Sequence, residues 1–305
     1  GRSITGFTAG NQPIAQAAMV DGSIDEADRD RNMGYIITGI SFGLVGGPIM
    51  GGFLSDKDFL GSYATLDLPF YGALVLATIA LIMVLIFFKD IRTDREPFVF
   101  KPFIIFNLLA RVRNYPKVLD LMPAYIFFMI ANVTFYVFLD NYLTSAFGYG
   151  TLGGSMAMLT IGIALAVSST FLVAPAQERF SKRFIVGASM ITWIVGSLSF
   201  VFLPIAWLCF IPIFMCYFIF GVAYPTMLGL FSASVPEAEQ GWVMGITTAV
   251  FCLAAGIMSL IGGWLMSIDI ALPYYIATVA GALGFISVLI GWTRPPLSQL
   301  VSSTE

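Results

Sequence analysis

The chain has 305 residues and a net charge of −3, and it is 58% hydrophobic with only 11% charged residues. Soluble domains carry about a quarter charged residues, so the composition excludes an ordinary soluble enzyme or module and points to a membrane protein. The chain contains no histidine, which rules out His-based triads and zinc sites using His, and it has neither a Walker A sequence nor a G-x-S-x-G element.

A helix needs about 20 apolar residues to cross the hydrocarbon, and uncharged runs of that length recur. Leu68 to Phe88 is one, Leu121 to Leu139 another, and Phe184 to Pro236 is long enough for two helices with a break at Leu203-Pro204. The reading is an all-α membrane protein with nine spans, at 1–20, 33–55, 67–88, 118–140, 153–175, 184–203, 205–231, 241–267 and 272–292. Alternating loops then hold 13 basic residues on one side (Arg29, Arg31, Lys89, Arg92, Arg95, Lys101, Arg111, Arg113, Lys117, Arg179, Lys182, Arg183, Arg294) against Lys57 alone on the other. By the positive-inside rule the first set and the C-terminus are cytoplasmic, and the first span begins at the outer face.

The first span carries Arg2 near its outer end and a polar face of Asn11, Gln12 and Gln16, with Pro13 loosening the backbone. Intramembrane charge is costly and by default functional, although Arg2 could instead sit among the outer headgroups. The amides require partners or a water-filled cavity, and either a transport pathway or glue between helices satisfies them. In the second span Gly34 is followed by Gly39, Gly43, Gly47 and Gly51 at intervals of four, with Pro48 and Gly52 beside them. That spacing places the glycines on one face, where a neighbouring backbone can come close, and Pro48 bends the helix.

The loop 89–117 contains Pro102 to Arg113, where apolar and basic residues alternate; this suits a helix lying on the interface, with a disordered linker as the competing reading. In the fourth span Asn132, Tyr136 and Asp140 lie four apart, and in the seventh Tyr217 and Tyr224 lie seven apart. These five residues are candidates for a substrate pathway. The opposing readings are plain packing for the tyrosines and an outer-mouth position for Asp140. Cys209, Cys216 and Cys252 all fall in spans without metal-ligand spacing and read as small packing residues.

An internal repeat links the two ends of the chain. Met33-Gly34 and Gly51-Gly52-Phe53-Leu54 reappear as Met244-Gly245 and Gly262-Gly263-Trp264-Leu265, each with an offset of 211, and Gly10 with Gly221 keeps that offset. Parallel repeats of this kind describe a transporter built from two six-helix halves. On this reading the chain holds nine of an expected twelve helices. Residues 1–88 are the last three of the N-terminal half, 89–117 a cytoplasmic inter-half loop, 118–293 the C-terminal half and 294–305 a cytoplasmic tail.

The glycine run, from Gly34 through Gly43 and Gly47-Pro48 to Gly51-Gly52, resembles the fifth-helix signature of the drug–proton antiporters of the major facilitator superfamily. Arg2 with Gly6 and Gly10 resembles that family's fourth-helix motif, and Ala18 to Gly34 is similar to the following loop of tetracycline-type exporters. Ser234-Val235-Pro236 through Gly241 and Met244-Gly245 resembles the matching loop of the second half. One departure is Ala176 to Arg183, which keeps the basic residues of the loop between helices eight and nine but loses its glycines.

The resemblance implies a major facilitator fold with proton-coupled export of a small apolar or amphiphilic molecule from the bacterial inner membrane, and proton coupling assigned to Arg2, Gly43, Gly47, Pro48, Gly51 and Gly52. A same-fold carrier of a siderophore or metabolite and a non-transporting membrane subunit are the other readings. The expected partners are lipid, a small substrate and protons, together with three further N-terminal helices or a membrane complex. No nucleic acid, metal or cofactor is expected.

Overall fold

Inside a bilayer no water pairs backbone groups, so a spanning chain closes its hydrogen bonds within helices. The computed structural model describes residues 39, 42–43, 45–47, 49–55, 60–65, 67–88, 111–203, 205–236, 239–293 and 297. Every element among the described residues is helical, and seven helices there are long and apolar enough to cross a membrane. The backbone forms two compact units, residues 1–101 and 102–305.

In the first unit, α1 (Leu68–Phe87) is apolar on every side and buries no residue. One contact among the described residues runs through a glycine: a Cβ placed on Gly72 would sit 3.2 Å from Leu54 Cδ1 and 3.4 Å from Met50 Cε, so the helical turns at 49–55 rest against α1 there. Cβ atoms placed on Gly43, Gly47 and Gly51 meet no atom within 4 Å among the described residues. The first predicted span, with Arg2, Asn11, Gln12 and Gln16, lies outside the described residues, as do Pro48, the proposed interfacial segment up to residue 110 and most of the tail.

The second unit contains α2 (Pro116–Phe147), α3 (Thr151–Phe171), α4 (Val173–Arg179), α5 (Lys182–Phe202), α6 (Phe210–Ser232), α7 (Gln240–Ile268) and α8 (Leu272–Gly291). A 3-10 turn at Arg111–Asn114 leads into α2, and another at Ala206–Cys209 leads into α6. The packing does not follow chain order. The helix α2 lies against α8 and α7, α8 against α5, α5 against α6, and α6 against α3, which closes back on α2.

Small residues set these approaches. A Cβ on Gly262 of α7 would fall 2.6 Å from Phe138 Cε1 of α2, and one on Gly221 of α6 would meet the Ser168 hydroxyl of α3. The missing side chains therefore let these helices come closer than a branched residue would permit.

The predicted spans and the helices agree within a few residues across most of this unit, and the departures have local causes. The fourth span continues to Phe147 instead of ending near Asp140, and it stops where Gly148 adopts φ 69° and its N–H reaches back to the Leu143 and Thr144 carbonyls. Glycine takes that left-handed conformation without the Cβ penalty. The fifth span ends at Phe171, and the residues before the loop form the separate short helix α4. Pro123 and Pro225 lie inside α2 and α6 without ending either helix, since surrounding helices can compensate for the lost hydrogen bond in a membrane bundle.

Candidate functional site

An α-helix turns 100° per residue, so residues four apart drift by about 40° around its axis. This drift separates the three predicted residues on α2. Asn132 is 7% exposed and faces the packed interior, whereas Tyr136 is 45% exposed and Asp140 also lies on the open surface of the unit. A polar track therefore leaves the core at Asn132 and emerges through Tyr136 to Asp140. Asp140 sits two turns before the C-terminal end of α2, against Gly154 of α3, where even a Cβ would collide with its carboxylate.

The second predicted pair also diverges in environment. Tyr217 is 3% exposed and its hydroxyl has no partner among the described residues. Its ring stands edge-on to Trp193 at 5.6 Å and to Phe135 at 6.1 Å. Because Tyr217 of α6 packs on Phe135 of α2, the fold sets it next to the turn of α2 that carries Tyr136. Tyr224 is half-buried and stacks on Phe220 at 5.3 Å and 8°. Its hydroxyl meets that of Tyr125, which donates to the Thr247 carbonyl at 3.2 Å.

Aromatic residues that the sequence reading did not single out complete the surroundings. Phe135 is the hub, with its ring 5.6 Å from Trp193, 5.1 Å from Phe200 and 5.2 Å from Tyr274. Edge-to-face contacts of this kind add about 0.5–1.5 kcal/mol each beyond the area buried, so Phe135 ties α2, α5, α6 and α8 into one block. A signal was available for Trp193: it stands midway between Ser189 and Ser197, four residues from each.

A clasp holds the start of α2 to the start of α7. The Arg111 guanidinium donates to Glu239 at 2.7 Å and lies 5.6 Å above the Trp242 ring, which contacts Tyr115 at 5.3 Å. Among the described residues no group of His, Cys, Asp and Glu is arranged to hold a metal. Asp140 offers a carboxylate, and Tyr136 and Tyr217 offer phenol hydroxyls and aromatic faces.

Comparison with known proteins agrees with this architecture. The family model of the Major Facilitator Superfamily matches residues 1–257 and, separately, 121–305. The tetracycline resistance protein, class C, of Escherichia coli is 23% identical over 256 residues, covering 84% of this chain and 62% of that protein. The class G tetracycline resistance protein of Vibrio anguillarum is 24% identical, with 84% and 63% covered. The quinolone resistance protein NorA of Staphylococcus aureus is 24% identical over 291 residues, covering 95% of this chain and 72% of that protein. The chain thus spans a little under two thirds of the length of the tetracycline resistance proteins it matches.

Proposed function

The chain belongs to the Major Facilitator Superfamily, and from that membership we propose that it is a secondary active transporter exporting a small apolar or amphiphilic molecule in exchange for protons. Alternating access, by rocking of two similar halves around a midplane site, is the mechanism that a parallel repeat supports. The relatives are named for resistance to tetracycline and quinolones, which favours export of compounds of that kind.

The observation that carries the reading is the polar track on α2. In an apolar helix, Tyr136 and Asp140 stand on the open surface, and Phe135, the residue before Tyr136, packs on the buried Tyr217. Asp140 would attract the cationic or donor end of an amphiphile, and the aromatic faces would receive its apolar body. Arg2 would keep a nearby carboxylate ionised and so set when that group takes a proton. Gly43, Gly47, Pro48, Gly51 and Gly52 would form the close-packed seam that moves between the two states.

We assign residues 1–88 to the N-terminal half, 89–117 to the linking loop, 118–293 to the C-terminal half and 294–305 to the tail. The 13-to-1 distribution of basic residues supports a cytoplasmic C-terminus, and bacterial relatives support a bacterial inner membrane.

The experiment is efflux from proteoliposomes containing the protein that carries this chain, with tetracycline and a fluoroquinolone as substrates and an imposed pH gradient. Efflux should require the gradient and should fall in Asp140→Asn. Gradient-independent movement of both compounds in correctly folded protein refutes proton coupling. The loss of glycines from Ala176 to Arg183 favours a second reading, a non-transporting membrane subunit; absence of any efflux together with stable capture of a membrane partner would select it.

A further inference from the structure

The helices α3 and α5 are each long and apolar enough to cross a membrane, so the short α4 and the turn after it, which join them, lie at a membrane surface. The helix α5 runs 21 residues from Lys182 to Phe202, about 31 Å at the helical rise, which matches the ~30 Å of hydrocarbon in a bilayer. Lys182 therefore marks one edge of the hydrocarbon. At that edge Ser181 caps α5, its hydroxyl accepting from the Phe184 N–H at 3.3 Å. Phe180 and Phe184 stack across the turn, with ring centroids 5.2 Å apart and planes 24° from parallel. The two rings are 48% and 58% exposed. Each is next in sequence to a cation: Arg179 precedes Phe180, and Lys182 and Arg183 precede Phe184. Arg183 donates to the Leu289 carbonyl of α8 at 3.2 Å, which sets the turn against the end of α8 and uses one edge of a guanidinium that has further N–H groups to donate. Among the described residues none of the three cations is in an ion pair, and Glu178 is the single acid in the stretch 178–183.

An open aromatic pair and a surplus of positive charge, held together at the edge of the hydrocarbon, call for a partner with an anionic head and an apolar body. We infer that this turn binds one anionic phospholipid, its phosphate held by Arg179, Lys182 and Arg183 and the start of an acyl chain resting on Phe180 and Phe184. Guanidinium groups hold phosphate through paired N–H···O bonds, and the ammonium acts as a point charge. Charge complementarity selects the class of lipid: a zwitterionic headgroup brings its own cation and leaves the surplus uncompensated, whereas a net negative one neutralises it. Free phosphate would satisfy the cations but leave the rings uncovered. The inference is independent of the transport reading, since it requires only that the chain spans a bilayer.

The test is native mass spectrometry of the intact protein that carries this chain, delipidated in mild detergent and titrated with phosphatidylglycerol or phosphatidylcholine. Phosphatidylglycerol should be retained in preference to phosphatidylcholine. Arg179→Gln combined with Lys182→Gln should weaken that binding by roughly 30-fold, because each Lys or Arg near an anionic lipid surface contributes about fivefold. Arg179→Lys combined with Lys182→Arg keeps both charges and should keep the lipid. Arg113→Gln removes an exposed cation from the turn before α2 and should leave retention unchanged; an equal loss there would show that any basic loop serves, and overturns the site. Excess inorganic phosphate should not displace the lipid, and displacement would assign a simple anion site instead. Equal retention of the two lipids by the parent protein refutes the proposal. So does undiminished phosphatidylglycerol binding by the double Gln variant or by Phe184→Ala, each checked for native circular dichroism.

Discussion

Gly281 is a point at which α8 presses on the backbone of α5. A Cβ placed there would lie 3.1 Å from Ile194 Cγ1, 3.2 Å from the Met190 carbonyl oxygen and 3.4 Å from the Ile194 nitrogen. Comfortable contact between heavy atoms lies near ~3.5–4.0 Å, and two of these three atoms are backbone, so no rotamer change can make room. Gly281→Val should force α8 and α5 apart by about half an ångström, and overpacking of that kind costs ~1–3 kcal/mol. For a unit of this size the unfolding midpoint should fall by roughly 2–12 °C. Gly256→Ala is the control, because Gly256 is exposed and a Cβ there meets nothing within 4 Å; removing a helical glycine should stabilise it by up to ~1 kcal/mol. The assay is thermal unfolding in mild detergent, followed by near-ultraviolet circular dichroism. Gly281→Val as stable as the parent protein would show that the α5–α8 seam is not closed at that glycine.

Glu239→Gln should cost under ~1 kcal/mol, because the ion pair with Arg111 is solvent-accessible and partly screened; chemical unfolding at low and high salt checks this, and the difference should shrink as salt rises. Gly47→Leu should leave membrane insertion intact, since no described atom lies within 4 Å of a Cβ there, while transport in proteoliposomes is lost; normal transport would show that the glycine stripe is not a tight seam. Arg2→Ala should weaken gradient-driven efflux more than equilibrium substrate binding, and Arg2→Lys should retain activity with a shifted pH profile, because lysine keeps the charge but not the planar fork.

The span limits were legible because they depend on a one-dimensional property, the length of uncharged chain. Leu203 separates α5 from the turn before α6 where the sequence reading broke the long run, and Leu68–Phe87 matches an uncharged stretch almost residue for residue. The polar track was legible only in part. Spacing of four predicts a shared face for Asn132, Tyr136 and Asp140, but the bundle buries the first and leaves the other two open. Ser189 and Ser197 flank Trp193 at the same spacing, but serine in a span usually bonds its own helix and so carries no signal in the sequence.

The sequence by itself determined that the chain is an all-α membrane protein, where most of its helices begin and end, and, through its glycine motifs, which family it resembles. Composition and charge spacing suffice for that, because the bilayer selects on length and polarity alone. Only the tertiary structure decided which side of each helix is buried. The spans are apolar nearly all round, so no hydrophobic stripe records the packing direction in a membrane. The pairing of Tyr217 with Trp193 and Phe135, and the contact of Gly281 with the α5 backbone, arise from helices distant in sequence, where shape complementarity rather than polarity selects the neighbour.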